Sequence, residues 1–172
     1  DIDGTLTRGG RHAVEVFHDA LRASFDLRRV PARFNTSGMT DSQIALGLLA
    51  SVDVAEADAL ARIDAFRDRY AAELERTRER LVGDLVVLPG AAETLAAVAA
   101  LGHAQSLLTG NYEPTARIKL ACVGVDRWLD FEVGAFGSDH RDRNCLVPIA
   151  IEKVARLRGE QVRPEDVVVV GD

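Results

Sequence analysis

Asp1-Ile2-Asp3-Gly4-Thr5-Leu6-Thr7 opens the chain. Two carboxylates two residues apart point the same way along an extended backbone. Gly4 supplies the sharp turn that keeps both at the mouth of a sheet. A carboxylate at a strand end can attack a phosphorus atom held at about 3–3.5 Å. A second can protonate the leaving oxygen and then activate water. An acidic turn of this kind also suggests a calcium loop, which needs another acidic or Asn side chain before the glycine and a Glu at the twelfth position. Here glycine comes fourth and His12 twelfth, so that reading is discarded. A chance acidic turn is the other alternative for the motif taken alone.

Two distant stretches bear on that choice. Leu107-Leu108-Thr109-Gly110-Asn111 is an apolar run ending in a hydroxyl and a glycine. Backbone N–H groups leading into a helix make such a turn a phosphate cradle, although the same residues also form ordinary turns. Val167-Val168-Val169-Val170-Gly171-Asp172 reads as a buried strand with an acidic exit, the alternative being an Asp that caps a following helix. Together the three strand ends offer a nucleophile, a proton donor, a phosphate clamp and acidic ligands for a cation.

Between the motifs the texture changes twice. Residues 13–27 have helical spacing, with Val14, Phe17, Leu21 and Phe25 on one face. Thr40-Asp41-Ser42-Gln43 is a capping box that starts a helix through Ile44, Leu48 and Leu49. Residues 56–81 give the longest helical pattern, its interleaved charges forming a solvated face. From Pro89-Gly90 onward helix and strand alternate. Helices are expected over 91–101, 114–123 and 148–157, with strands over 103–109, 131–136 and 167–170. The spacing therefore predicts an α/β fold with a doubly wound, mostly parallel Rossmann-like sheet, interrupted by a helical insert. The boundaries are 1–10 plus 86–172 for the α/β core and 11–85 for the insert. The loop Ser37-Gly38-Met39-Thr40-Asp41 is expected to face the core site.

The bulk numbers narrow the partners. The chain has 172 residues, enough for one domain with an insert. A net charge of -6 disfavours nucleic acid, whose phosphates want a basic face. A small phosphorylated metabolite needs only a local cationic pocket. No apolar run is long enough to span a membrane. The two cysteines, Cys122 and Cys145, lack metal-ligand spacing and suit a reducing cytoplasm. Nothing in the sequence assigns an oligomeric state. Because the chain begins abruptly at a strand end, its natural N-terminus is expected to lie upstream, and the chain reads as truncated at both ends.

DxDGTL, then an apolar run with Thr-Gly, then an apolar run with Gly-Asp, resembles the haloacid dehalogenase-like hydrolase superfamily. Leu88-Pro89-Gly90 before the helix leading to the second motif is similar too, and the chain resembles the phosphoglycolate-phosphatase-like branch with a helical cap. The resemblance covers nearly the whole chain. It implies Asp1 as nucleophile and Mg²⁺ ligand, and Asp3 as general acid/base lending its carbonyl to the metal. It implies Thr109, Gly110 and Asn111 around the phosphoryl oxygens, and Asp172 as a further Mg²⁺ ligand. A phosphate dianion beside several carboxylates does need an intervening divalent cation, and oxygen-only ligands suit Mg²⁺. The resemblance also implies a second acid beyond Asp172, and an insert that acts as a mobile lid.

One motif departs from the family pattern. Relatives carry a Lys before the helix preceding the last strand; here Ser138–Pro148 contains none. Arg143 is nearest the expected position and Arg141 second; Arg also clamps phosphate, in a different geometry. Lys153 reads as a surface residue of its helix, and His12, His18 and His103 read as structural. The expected activity is Mg²⁺-dependent hydrolysis of a small phosphate monoester through an aspartyl-phosphate. A sugar phosphomutase of the same family and a non-catalytic binding module on the same fold are the alternatives.

Overall fold

The computed structural model describes residues 1–31, 34–159 and 161–171. The carbonyl of Ile2 accepts from the N–H groups of Thr5, Leu6 and Thr7 at 3.3, 2.9 and 2.9 Å. This turn, with Gly4 at φ 84°, delivers the chain into strand β1 (Thr7–Gly9). β1 pairs antiparallel with β2 (Leu85–Val87), Thr7 opposite Val87 and Gly9 opposite Leu85. A Cβ on Gly9 would lie 2.1 Å from the Asp84 carbonyl oxygen, so only glycine fits that crossing. The ribbon ties together the two ends of the helical segment between its strands.

That segment is α1 (Arg11–Phe25), α2 (Asp41–Ala50), α3 (Glu56–Arg76) and α4 (Arg78–Val82). Both bonds of the capping box at the start of α2 are present: Thr40 Oγ1 accepts from the Gln43 N–H and Gln43 Oε1 from the Thr40 N–H. The expected helix over 56–81 breaks at Thr77. There the Thr77 hydroxyl bonds the Glu73 carbonyl and shares a 2.8 Å hydrogen bond with His12 Nε2. Phe17, Leu21, Leu48, Leu49, Phe66, Tyr70 and Leu74 fill one hydrophobic core between these helices. Burying each such side chain contributes about 1.5–3 kcal/mol. Val14, expected on the buried face of α1, is 56% exposed.

The rest of the chain carries α5 (Ala91–Ala100), α6 (Glu113–Val123) and α7 (Leu146–Arg158). Ile2, Leu95, Leu107, Leu120, Phe131 and Phe136 form a second core. The expected mostly parallel sheet is much reduced here. Among the described residues, parallel pairing is limited to two isolated bridges, Asp3 with Thr7 inside the first turn and Leu108 with Ala135 between the two later runs. Three bonds hold the two runs side by side: Asp130 N to Gln105 O, Ala135 N to Leu107 O and Thr109 N to Ala135 O, at 2.8, 2.9 and 3.1 Å. A ladder needs an unbroken extended backbone, and a turn from Phe131 to Gly134 interrupts the second run. Val167–Val170 does not form the buried strand expected of it. Val168, Val169 and Val170 are 86, 54 and 65% exposed.

Candidate active site

The Ile2 turn leaves the carboxylates of Asp1 and Asp3 beside the loop that follows Leu107. Asp1 Oδ1 accepts from the Ile2 N–H at 2.8 Å, and Arg143 Nη2 forms an ion pair with Asp1 Oδ2. Arg143 opens a short 3₁₀ turn, Arg143–Cys145, started by Asp142, whose side chain accepts from the Asn144 N–H. Arg141 points elsewhere and meets Glu56 at 3.6 Å on the exposed surface. Of the two arginines singled out in the sequence, Arg143 is the one beside Asp1.

Asp3 is held from the other side. Lys119, on α6, is buried; its Nζ lies 3.1 and 3.0 Å from the two Asp3 oxygens and 2.7 Å from Asn111 Oδ1. Asn111 Nδ2 donates to Asp3 Oδ2 and to Thr109 Oγ1, both at 2.9 Å. Burial pushes the Asp3 carboxyl up, but the Lys119 charge and the bonds from Asn111 and Lys119 outweigh it and hold the group below its usual range. Thr109, Asn111 and Lys119 are thus buried polar groups that satisfy one another.

The loop is built for close approach. A Cβ on Gly110 would lie 2.3 Å from the Met39 carbonyl oxygen, and one on Gly137 would lie 2.1 Å from the Gly110 carbonyl oxygen. Glycine at both positions lets three backbones stack. Thr40 and Asp41 bind across this contact. The Asp41 N–H donates to Gly110 O at 2.8 Å, the Tyr112 N–H to Asp41 Oδ2 at 2.9 Å, and the Thr40 hydroxyl to Arg141 O at 2.7 Å. The N–H groups of Asp3 and Gly110 donate to no described residue. Unspent backbone donors of this kind are the groups that anion sites use.

A cavity of about 560 Å³ lies over these groups. Asp1, Asp3, Thr109, Gly110, Asn111, Lys119 and Arg143 line it, together with residues of α1, the Thr36–Met39 loop, Asp41, Ile44 and Tyr70. A second cavity of about 340 Å³, beneath Arg67 and His140, contains neither Asp1 nor Asp3 and belongs to a different part of the surface.

A family model of haloacid dehalogenase-like hydrolases matches residues 1–172. The chain belongs to the haloacid dehalogenase-like hydrolases. No curated protein matches it. The haloacid dehalogenase-like hydrolases generally use Mg²⁺. In this one, the oxygen donors of Asp1 and Asp3 have the hard character such a cation prefers. Among the described residues, no three His, Cys, Asp or Glu side chains gather into a metal cluster. Asp172, the other expected ligand, lies outside the described residues. Gly171, just before it, sits beside Asp1: a Cβ built there would be 3.9 Å from Asp1 Cβ.

The structure brings together Asp1, Asp3, Thr109, Gly110, Asn111 and Arg143. It adds Lys119, which sequence reasoning did not single out, and Asp41, which the sequence placed only in the loop expected to face the site. Lys119 sits in an ordinary helical stretch between Ile118 and Leu120, and its only signal was that Lys occurs just twice in the chain. The other, Lys153, is not the surface residue expected. It is half-buried, with Nζ 2.7 Å from both Gly134 O and Asp139 Oδ2. Of the histidines, His18 lines the cavity; burial and then Arg22 hold it below its usual pKa, against an opposing pull from Asp19.

Proposed function

We propose that this hydrolase is a Mg²⁺-dependent phosphatase that cleaves a small phosphate monoester through an aspartyl-phosphate. The observation carrying the proposal is the single cavity that places Asp1, Asp3, Arg143 and the Thr109–Asn111 loop around one space. Asp1 attacks phosphorus, the bond from phosphorus to the leaving oxygen breaks, and Asp3 gives that oxygen a proton. Water then attacks phosphorus and gives a proton to Asp3, and the bond from phosphorus to the Asp1 oxygen breaks. Phosphate leaves and Asp1 is regenerated. Arg143, Thr109 and the N–H groups of Asp3 and Gly110 balance charge on the equatorial oxygens. Asp1, the Asp3 carbonyl and Asp172 would hold Mg²⁺, whose cationic charge would let a dianion approach two carboxylates.

In this reading residues 11–85 form a helical cap, and residues 1–10 with 86–172 form the catalytic core. The two hydrophobic cores, and the cavity between the sets of residues they support, favour that division. The same reading takes the core as the doubly wound α/β type, of which the Leu108–Ala135 bridge is the described part. Two cysteines outside any disulfide accord with a cytoplasmic enzyme. The test is a phosphorylated-metabolite panel with the full protein, with and without Mg²⁺, scoring phosphate release. Release that Asp1→Asn removes supports the proposal. An isomeric sugar phosphate in place of free phosphate identifies a mutase, and turnover unaffected by chelator or by Asp1→Asn contradicts the mechanism.

A further inference from the structure

Tyr70 is a buried tyrosine whose hydroxyl has no use in the fold. Its ring, on α3, packs edge-on against Phe17 at 5.2 Å and beside Phe66, and the residue is 3% exposed. A buried phenol normally finds a partner. Among the described residues this hydroxyl hydrogen-bonds to none. Nor is it sealed in: the unpartnered, fully sealed side-chain atoms are those of Thr5, Thr7, His12 and Ser24. Tyr70 lines the 560 Å³ cavity, so the small surface it keeps faces that space.

Asp41 lines the same space. Oδ2 is taken by the Tyr112 N–H, whereas Oδ1 accepts from no described residue. Burial, then the charges of Asp41 and Asp3, push the Tyr70 phenol well above its usual pKa, so it stays an O–H donor. The cavity therefore holds a buried neutral donor and a carboxylate acceptor beside the Thr109–Asn111 loop. Val14, Phe17 and Ile44 supply apolar wall around them.

We infer that Tyr70 and Asp41 form a recognition site for the leaving group, and that they select an alcohol carrying further hydroxyl groups, a polyol or sugar phosphate. A hydroxyl can accept from Tyr70 and donate to Asp41. A bare alkyl chain would leave both polar groups unpaired, which is how a hydrogen-bonding site rejects an analogue lacking the group. A carboxylated leaving group would meet the Asp41 charge. The inference rests on the phosphatase reading, because it takes the phosphoryl end as fixed at Asp1.

The experiment compares glycerol 1-phosphate, propyl phosphate and phosphoglycolate with the full protein and Mg²⁺. Phosphate release gives kcat/KM for each, and calorimetry on Asp1→Asn gives Kd separately from chemistry. Glycerol 1-phosphate is expected to lead propyl phosphate and phosphoglycolate by tenfold or more in both readouts. Tyr70→Phe, which keeps the ring, should cut the glycerol-to-propyl ratio about tenfold. Asp41→Asn, which keeps an acceptor for Tyr112, should shrink the handicap of phosphoglycolate. Equal losses on all three esters in Tyr70→Phe, or a wild-type preference for phosphoglycolate, overturns the inference while leaving the phosphatase reading standing. Hydrolysis of none, with no difference in Kd, overturns both.

Discussion

Replacing Lys119 by Met would separate leaving-group protonation from the rest of the chemistry. Met keeps the length of the side chain and removes the charge that bonds both oxygens of Asp3 and Asn111 Oδ1. A fully buried pair broken from one side costs about 3–5 kcal/mol; an exposed pair is worth about 0–1 kcal/mol. The Lys119 side chain is 8% exposed and that of Asp3 49%, so water can rehydrate only one partner. The stability loss should therefore fall between those limits, at about 2 kcal/mol. Activity should fall selectively. General acid catalysis is worth about 10²–10⁴-fold, and losing the bonds that orient Asp3 should forfeit the lower end, about 10²-fold on an alkyl phosphate. An activated aryl ester such as p-nitrophenyl phosphate departs without a proton and should lose less than about tenfold. Because kcat/KM reports steps through the first phosphoryl transfer, the ratio of the two substrates isolates Asp3 as acid. A fall in Tm with an unchanged substrate ratio would reduce Lys119 to a structural residue and refute the positioning argument.

Other outcomes follow from the same contacts. Arg143→Ala should lower kcat about 10²-fold or more, the scale of one preorganised electrostatic donor, whereas Arg141→Ala, whose partner is the exposed Glu56, should change kcat little; steady-state assays of both variants decide it. Gly110→Ala would drive a methyl into the Met39 carbonyl oxygen, so it should loosen the contact at Thr40–Asp41 and raise KM, which hydrogen exchange at the Asp41 amide would register. Burial raises the Asp41 pKa to about 6, against the pull of Lys119 and the Tyr112 N–H and with a further push from Asp3. A carboxyl raised in the folded state contributes stability below its unfolded pKa and loses it as pH climbs through the folded value. Tm should therefore decline from pH 4 to 7 by an amount that Asp41→Asn abolishes. Asp3, lowered in the folded state, should act oppositely, its contribution disappearing as pH falls below about 4.

Local signals were the legible ones. The capping box at Thr40 and most of the apolar faces of α1 and α3 are determined by neighbours three or four residues apart, and helices formed over these stretches, with ends that differ from those the spacing gives. The break at Thr77 was hidden because the apolar spacing runs on from Leu74 to Leu81; the Thr77 hydroxyl meets His12 there, 65 residues away. Strand content was over-read. Short apolar runs say that a segment is extended and buried, but ladders depend on partners, and Val167–Val170 lacks cover on its side chains. At the site, the strand-end motifs drew attention to Asp1, Asp3 and Thr109, and the loop position drew attention to Arg143. Lys119 and Tyr70 carry no motif. Their importance comes from where α6 and α3 pack, which a helical pattern alone does not encode.

The most direct test of the central claim is chemical trapping at Asp1. The full protein with Asp3→Asn, which should slow dephosphorylation, is mixed with substrate and Mg²⁺ and quenched in acid. Borohydride then reduces any acyl phosphate, and the peptides are read by mass spectrometry. The account predicts homoserine at Asp1, dependent on substrate and absent when Asp1 is also replaced by Asn. Unmodified Asp1 in a sample that releases phosphate, or the reduced residue at another position, would contradict it.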